Sequence, residues 1–330
     1  MCSCPWGREM YGNWEKRSWR GFVVIDRTGW EKTFGGYYKG EVEFNAPMSA
    51  HTSLAIGGPA DVLVSPEDPV SVKNIVMLLR RQGTPFLPLG GGTNILVRDA
   101  GIEGVVIKCR AFNRAEVIRD SGDMVELFAE AGVPLQKLVN LCREKGFAGM
   151  EGLTGIPGTL GGAICGNAGS YGCEIRDVLI SVVILRSDGA LERYDADDLG
   201  FGYRTSGVLP DDIVLSANLK LKKDDAAAVA ARTDDFFTRK KSAQPIRERS
   251  AGCVFRNPEG MSAGRMIDEA GCKGMHIGGI EVSGLHANFF VNRGEGTAAD
   301  YLALMEAVSK KVRERFGVTL DPEIRVAGRG

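Results

Sequence analysis

The chain reads as an α+β protein of several subdomains, on three observations. Strand–helix units alternate from about residue 60, hairpin-like strand pairs occupy the middle third, and strands flanked by helices close the chain. This mixture departs from a simple doubly wound sheet. A length of 330 residues also exceeds what one small core organises and suits subdomains that share a cleft.

Taken in order, residues 1–45 differ from the rest. They hold all four tryptophans, Trp6, Trp14, Trp19 and Trp30, among Gly, Arg, Lys and Tyr. Gly21–Asp26 predicts a short strand; otherwise the segment reads either as an accessory piece covering the body or as a loose tail. Asp61–Val64 predicts a strand. Pro69 then opens a helix that buries Val72, Ile75, Val76, Leu78 and Leu79, and Gly83 stops it. Pro85–Leu89 runs extended into a glycine cluster, and strands follow at Val105–Ile107 and Val125–Ala129. A helix covers Pro134–Lys145. Beyond a glycine-rich stretch, Val182–Leu185 and Leu191–Tyr194 predict a hairpin turned at Asp188-Gly189. Ile213–Leu219 predicts a strand and Asp224–Lys241 a long polar helix ended by Gln244-Pro245. Helices near Ala263–Ala270 and Ala298–Phe316 flank strands at Ile280–Val282 and Ala287–Val291. No internal repeat is visible.

Composition narrows the classes. Net charge is −1 with both signs interspersed, which offers no reason to expect a nucleic-acid or membrane partner. No apolar run reaches the roughly 20 residues that span a bilayer, and the first residues lack the apolar core of a secretory signal, so the expected compartment is the cytoplasm. The eight cysteines are scattered, with no metal-knuckle spacing and only three histidines to complement them, so no metal site is expected. Most read as small buried residues in a reducing environment.

Two glycine segments carry the first chemical signal. In Pro88–Val97, Gly90, Gly91 and Gly92 follow a strand and precede Thr93 and Asn94. Glycines there bring backbone N–H groups close to a ligand such as a pyrophosphate, although a triple glycine also serves a merely tight loop. The pattern is not GxGxxG, since no long helix follows. The second segment, Gly155–Gly172, intersperses seven glycines with Ile, Leu, Ala and Cys, which are not linker residues, and favours a flat ligand against the backbone.

These segments, with Phe201–Ser206, Ser250–Pro258 and Leu320–Arg325, resemble in order and spacing the UDP-N-acetylenolpyruvoylglucosamine reductase (MurB) family from about Asn45 to Arg325. The resemblance implies a two-lobed FAD-binding unit of the vanillyl-alcohol-oxidase (PCMH) type plus a C-terminal α+β substrate domain. The expected layout is an N-terminal extension of unknown role over 1–45, FAD lobes over 46–115 and 116–244, a substrate domain over 245–318, and a returning C-terminal strand over 319–330. The short interval from Arg204 to Cys253 resembles the compact second class, which lacks a tyrosine-bearing loop over the substrate.

By the same similarity, non-covalent FAD lies on Gly90, Gly91, Gly92, Thr93 and Asn94, and on Gly155, Pro157, Gly158, Thr159, Gly161, Gly162, Asn167, Gly169 and Tyr171. The implied reaction reduces UDP-N-acetylglucosamine enolpyruvate to UDP-N-acetylmuramate, with NADPH as co-substrate, in peptidoglycan precursor synthesis. Arg204 would grip the substrate carboxylate, Glu323 on its short strand would assist the enol, and Cys253, where many members carry serine, would donate the proton. Tyr203, Lys241 and Asn257 are the implied substrate contacts, Lys241 on spacing alone; as the end of a helix it suits that helix's dipole equally well. Oligomeric state is not legible. Another FAD oxidoreductase of the same fold, or a non-enzymatic flavin sensor, are the rival functions.

Overall fold

The computed structural model describes residues 27–34, 36 and 38–330; the strand expected at Gly21–Asp26 and Trp6, Trp14 and Trp19 lie outside them. The first sheet has four strands in the order Gly40–Pro47, Pro59–Pro66, Ile102–Lys108, Phe86–Leu89. The outer pair is antiparallel, with Val42 opposite Val64, and the other pairings are parallel. One face takes the helix Pro69–Gln82. Asp68 caps it by accepting from Ser71 N at 2.7 Å, Pro69 enters where its missing N–H costs nothing, and Gly83 ends it at φ 65°. Val72, Ile75, Val76 and Leu79 are buried on the sheet and Leu78 only partly.

The strand Gly40–Pro47 runs through the boundary expected at residue 45, so the first sheet begins inside the segment read as an extension. The helix Arg27–Phe34 precedes it. Trp30 is 3% exposed and meets Tyr38 and Phe44 edge-on at ring-centre distances of 6.0 and 6.5 Å. It shares a core with Val62, Val64 and the Pro69–Gln82 helix.

The second sheet is antiparallel, in the order Leu191–Asp195, Leu179–Leu185, Ile213–Lys223, Met124–Glu130, Ala115–Ser121; Phe147–Ala148 adds to one end of Ile213–Lys223. Alternate residues of Met124–Glu130 are buried beneath the helix Leu135–Lys145 and the short helix Leu160–Cys165. Leu160–Cys165 lies within the second glycine segment, where no helix is expected: Thr159 caps it, its hydroxyl accepting from Gly162 N at 3.5 Å.

The third unit packs the helices Ala263–Glu269 and Ala298–Phe316 against the strands His276–Ile277, Ile280–Val282 and Phe290–Asn292. The strand expected at Ala287–Val291 starts only at Phe290 because Ala287–Asn288 is a turn, Phe289 N donating to His286 O, and Phe289 bridges Cys253. The chain then returns. Arg325–Ala327 pairs in parallel with Ile95–Val97, and Glu323 lies just before that strand rather than on it.

An eight-residue helix has no stability of its own, so its place depends on Trp30. Trp30→Ala should lower unfolding free energy by about 3–5 kcal/mol, read as a shift of the urea midpoint; a shift under a third of that would mean the helix is not part of the core.

Candidate active site

The two glycine segments meet face to face. A Cβ on Gly90 would fall 2.6 Å from Thr159 Oγ1, and one on Gly91 would fall 2.7 Å from Gly158 Cα. Thr93 Oγ1 donates to Pro157 O at 3.4 Å. Gly92, at φ 66°, turns against the carbonyl of His51. Both His51 ring nitrogens are engaged, Nδ1 with Lys108 Nζ at 2.9 Å and Nε2 with Glu43 at 3.5 Å. Much of the glycine signal is therefore backbone-on-backbone packing: Gly161 sits on Ala131, Gly169 on Cys173 and Glu174, and Gly155 beside Lys240 and Phe237. Gly162 differs. It is exposed, and a Cβ there meets nothing nearer than 3.7 Å. Such an open glycine on a helix's first turn is free for an external ligand.

Asn167, Tyr171 and Arg204 all hold positive φ, at 40°, 51° and 56°. Side chains rarely accept that strain unless neighbours impose it, and such residues cluster at functional sites. Asn167 is fully buried. Its amide nitrogen donates to Glu174 Oε2 at 2.9 Å and Gly202 O at 3.0 Å, while its Oδ1 has no partner. An orphaned buried acceptor beside an open glycine helix fits a flat polar cofactor that supplies the missing donor. Tyr171 stacks on Phe236 at 4.9 Å.

Arg204 donates through Nη2 to Gly169 O at 2.7 Å, and its Nε lies 3.4 Å from Glu323 Oε1. The pair bridges the second sheet's loops and the C-terminal return. Burial raises the Glu323 carboxyl above the ordinary carboxylate range, against the opposing pull of Arg204 and Arg256. Cys253 is near enough for Glu323 to act on it. Burial first, then that carboxylate, push its thiol up to about 12, and Arg204 and an Asn288 hydrogen bond oppose them. Asn288, 2% exposed, fixes the cysteine's loop by pairing with both Phe255 N (3.0 Å) and Phe255 O (2.7 Å). The three expected catalytic residues thus converge from three distant stretches of sequence.

The expected substrate contacts divide. Tyr203 is 46% exposed, its ring under the Arg204 guanidinium at 5.1 Å, and its hydroxyl accepts from Asn257 N at 3.4 Å. The Asn257 side chain accepts from Ala263 N and so anchors a helix start. Lys241 is exposed at the end of Ala226–Ala243, as its helix-end reading has it. The lysine that enters the site is its neighbour Lys240, 2% exposed, donating to Thr154 O at 2.6 Å and Ser170 Oγ at 2.9 Å, with Nζ 5.6 Å from the Tyr171 ring centre. Burial, then Arg204, draw Lys240 down to about 8. The doublet Lys240-Lys241 gave no means of choosing. A cleft of about 310 Å³ opens beside these groups, lined by Gly169, Ser170, Glu174, Arg176, Tyr203 and Arg204. Among the described residues no His, Cys, Asp and Glu cluster could hold a metal.

Residues 244–327 match the family model for the C-terminal domain of UDP-N-acetylenolpyruvoylglucosamine reductase, and residues 60–195 match that of an FAD binding domain. The chain is 41% identical over 290 residues to the UDP-N-acetylenolpyruvoylglucosamine reductase of Geotalea uraniireducens, covering 88% of this chain and 95% of that one. Identity to the protein of that name from Rubrobacter xylanophilus is 44%, over 87% and 95%. Among solved structures, UDP-N-acetylenolpyruvylglucosamine reductase from Thermus caldophilus superposes with a TM-score of 0.74 at 36% identity, covering 88% of this chain and all of that one. These matches bear out the α+β class with its two-lobed FAD-binding unit and C-terminal domain.

Two outcomes follow. Gly162→Val has room in the protein, so it should leave the fold intact by circular dichroism while weakening FAD binding at least tenfold; a variant as yellow as wild type would clear Gly162 of cofactor contact. For Lys240, the unfolded chain keeps its proton up to about 10.5 and the folded one only to about 8. The unfolded state then binds more protons between those values, so stability rises as pH climbs through that window. Lys240→Met should abolish the rise in urea denaturation; its persistence would assign it to another group.

Proposed function

The chain belongs to the UDP-N-acetylenolpyruvoylglucosamine reductase family, and on that premise we propose that Arg204, Cys253 and Glu323 carry its chemistry. The enzyme is an FAD-dependent oxidoreductase that uses NADPH to reduce UDP-N-acetylglucosamine enolpyruvate to UDP-N-acetylmuramate, in peptidoglycan precursor synthesis. FAD, when bound, would supply the hydride chemistry that links NADPH to the vinyl group.

FAD would be held by the facing segments Gly90–Asn94 and Pro157–Gly162, with the orphaned Asn167 Oδ1 as an acceptor. Arg204 presents a guanidinium at the cleft and can pair with the enolpyruvyl carboxylate, stabilising charge as it builds there. Burial biases Glu323 toward its neutral form, and a protonated carboxyl can donate a hydrogen bond to the same oxygens where an ionised one would repel them. Cys253 gives its proton to the carbon opposite the hydride. Tyr203 lines the cleft, Asn257 and Lys240 hydrogen-bond to its lining residues Tyr203 and Ser170, and Lys240 brings positive charge suited to the sugar nucleotide's phosphates. The single observation carrying the assignment is the Arg204–Glu323 pair at 3.4 Å with Cys253 beside it. We divide the work among two FAD lobes, a substrate domain and a returning strand, with the first lobe's start moved to the strand at Gly40. The six free cysteines among the described residues support a cytoplasmic setting, where NADPH is available.

Rapid mixing separates the halves. Cys253→Ala should leave flavin reduction by NADPH nearly intact and slow reoxidation by the enolpyruvyl sugar roughly 100-fold or more. Cys253→Ser should retain substantial activity. Reoxidation of the alanine variant at the wild-type rate would place the proton donor elsewhere.

A further inference from the structure

Arg256 stands next to this centre with no hydrogen bond or ion pair from its guanidinium among the described residues, and its Nε is buried without a partner. A buried donor left without a partner is costly, so its setting calls for an explanation. Three backbone contacts supply one. Glu323 N donates to Val254 O at 2.7 Å, Phe255 bridges Pro322 antiparallel, and Arg256 N donates to Asp321 O at 2.8 Å. Opposed residues of an antiparallel pair share a side, so Arg256 and Glu323 are diagonal neighbours there, a separation of about 7–8 Å that an arginine spans. Glu323 therefore lies between two guanidiniums, Arg204 from the second lobe at 3.4 Å and Arg256 from the substrate domain.

We propose that Arg256 is a positioning residue for the reduction, holding the Glu323 carboxyl from the substrate-domain side while Arg204 turns to the substrate's carboxylate. The inference rests on the function proposed above. Arg204 already directs Nη2 to Gly169 O and Nη1 to Asn167 O, so turning to a substrate carboxylate draws on the same few donors that face Glu323. A second cation keeps the carboxyl oriented when the first departs. Because Arg256 opposes the burial that raises Glu323, it also limits how far that group is shifted. The other charged or titratable groups around Glu323 are Cys253 and Arg204, with Lys240 behind Arg204 and Asp321 two residues along.

The test compares Arg256→Gln and Arg256→Lys with wild type, all FAD-loaded, in the two half-reactions across pH. Wild-type turnover of UDP-N-acetylglucosamine enolpyruvate is the control for the function itself; its absence would sink that reading, whatever the variants do. Given turnover, Arg256→Gln should reduce flavin with NADPH at the wild-type rate and slow the second half-reaction about tenfold, the scale of losing one charged hydrogen bond. The alkaline limb of that half, where Glu323 deprotonates, should move up by about one pH unit, since a cation that lowered its pKa is gone. Arg256→Lys should restore the limb and most of the rate. An unmoved limb in a folded, yellow Arg256→Gln protein overturns the proposal. If that variant does not fold, Arg256→Lys decides alone: a limb within 0.3 of wild type supports the role of charge, and a limb displaced by a full unit refutes it.

Discussion

Everything at the reaction centre hangs on one short length of backbone, Asp321–Ala327, which is zipped to two units at once. Its first half pairs with Val254–Arg256 through Arg256 N to Asp321 O and Glu323 N to Val254 O. The second half pairs in parallel with Ile95–Val97, and the Asn94 side chain donates to Glu323 O. Arg329 then closes the end on Asp61 at 2.6 Å. The segment carrying the cysteine and the strand leaving the first glycine loop are thereby held at fixed distance through seven residues. Ser53 Oγ to Ser250 O and Asn292 Nδ2 to Leu54 O brace the same junction from the side. Since buried backbone groups must be paired, shifting this segment would break ladders in both units together.

The electrostatics follow from that placement. Arg204 and Arg256 both act on one carboxyl, Glu323, and Lys240 lies behind Arg204, so these four groups carry an excess of positive charge before any ligand arrives. Desolvation is the largest influence on both Glu323 and Lys240, outweighing the charges that oppose or reinforce it. Each group is thus biased toward its neutral form. An anionic substrate reverses this for the cations and reinforces it for Glu323, which separates their roles by environment rather than by residue type. The left-handed backbone at Asn167, Tyr171 and Arg204 has the same logic: strain of order 1–3 kcal/mol each, held by rigid neighbours, sets side chains where chemistry needs them.

Much of this was legible in the chain. The Pro69–Gln82 helix announced both its ends, with Pro69 at its start and Gly83 at its end, and the hairpin at Asp188-Gly189 declared its turn. Ala115–Ser121 was missed because it is an edge strand, exposed nearly throughout, with no buried face to impose alternation. Inside the glycine run, the helix Leu160–Cys165 was hidden by its own composition, although Thr159 offered a capping signal. At the site, Arg204, Cys253 and Glu323 were reached through ordered motifs, not through any property of the lone residues. Lys240 and Arg256 were not reached. A lysine doublet at a helix end has no periodic mark saying which side chain turns inward, and an arginine after a buried phenylalanine looks like surface. Only the packed structure shows that one is 2% exposed and that the other has a buried Nε and a charge that acts on Glu323.

The cysteine is the point where stability and chemistry pull against each other. A thiol in water would ionise near the edge of physiological pH, and a thiolate is both useless as a proton donor and open to oxidation. Pushing Cys253 up to about 12 leaves on the order of one thiolate per hundred thousand molecules at neutral pH. Its resting form is therefore the protonated one that a donor needs. The same shift makes it a weaker acid, which has to be offset at the moment of transfer. Arg204 and Asn288 are the groups that favour the charged sulfur, and both are already in place. Glu323 opposes them if ionised and does not if protonated. The burial that biases Glu323 toward its neutral form therefore also lowers the cost of the proton leaving Cys253, so that the acidity of the donor depends on the charge state of its neighbour.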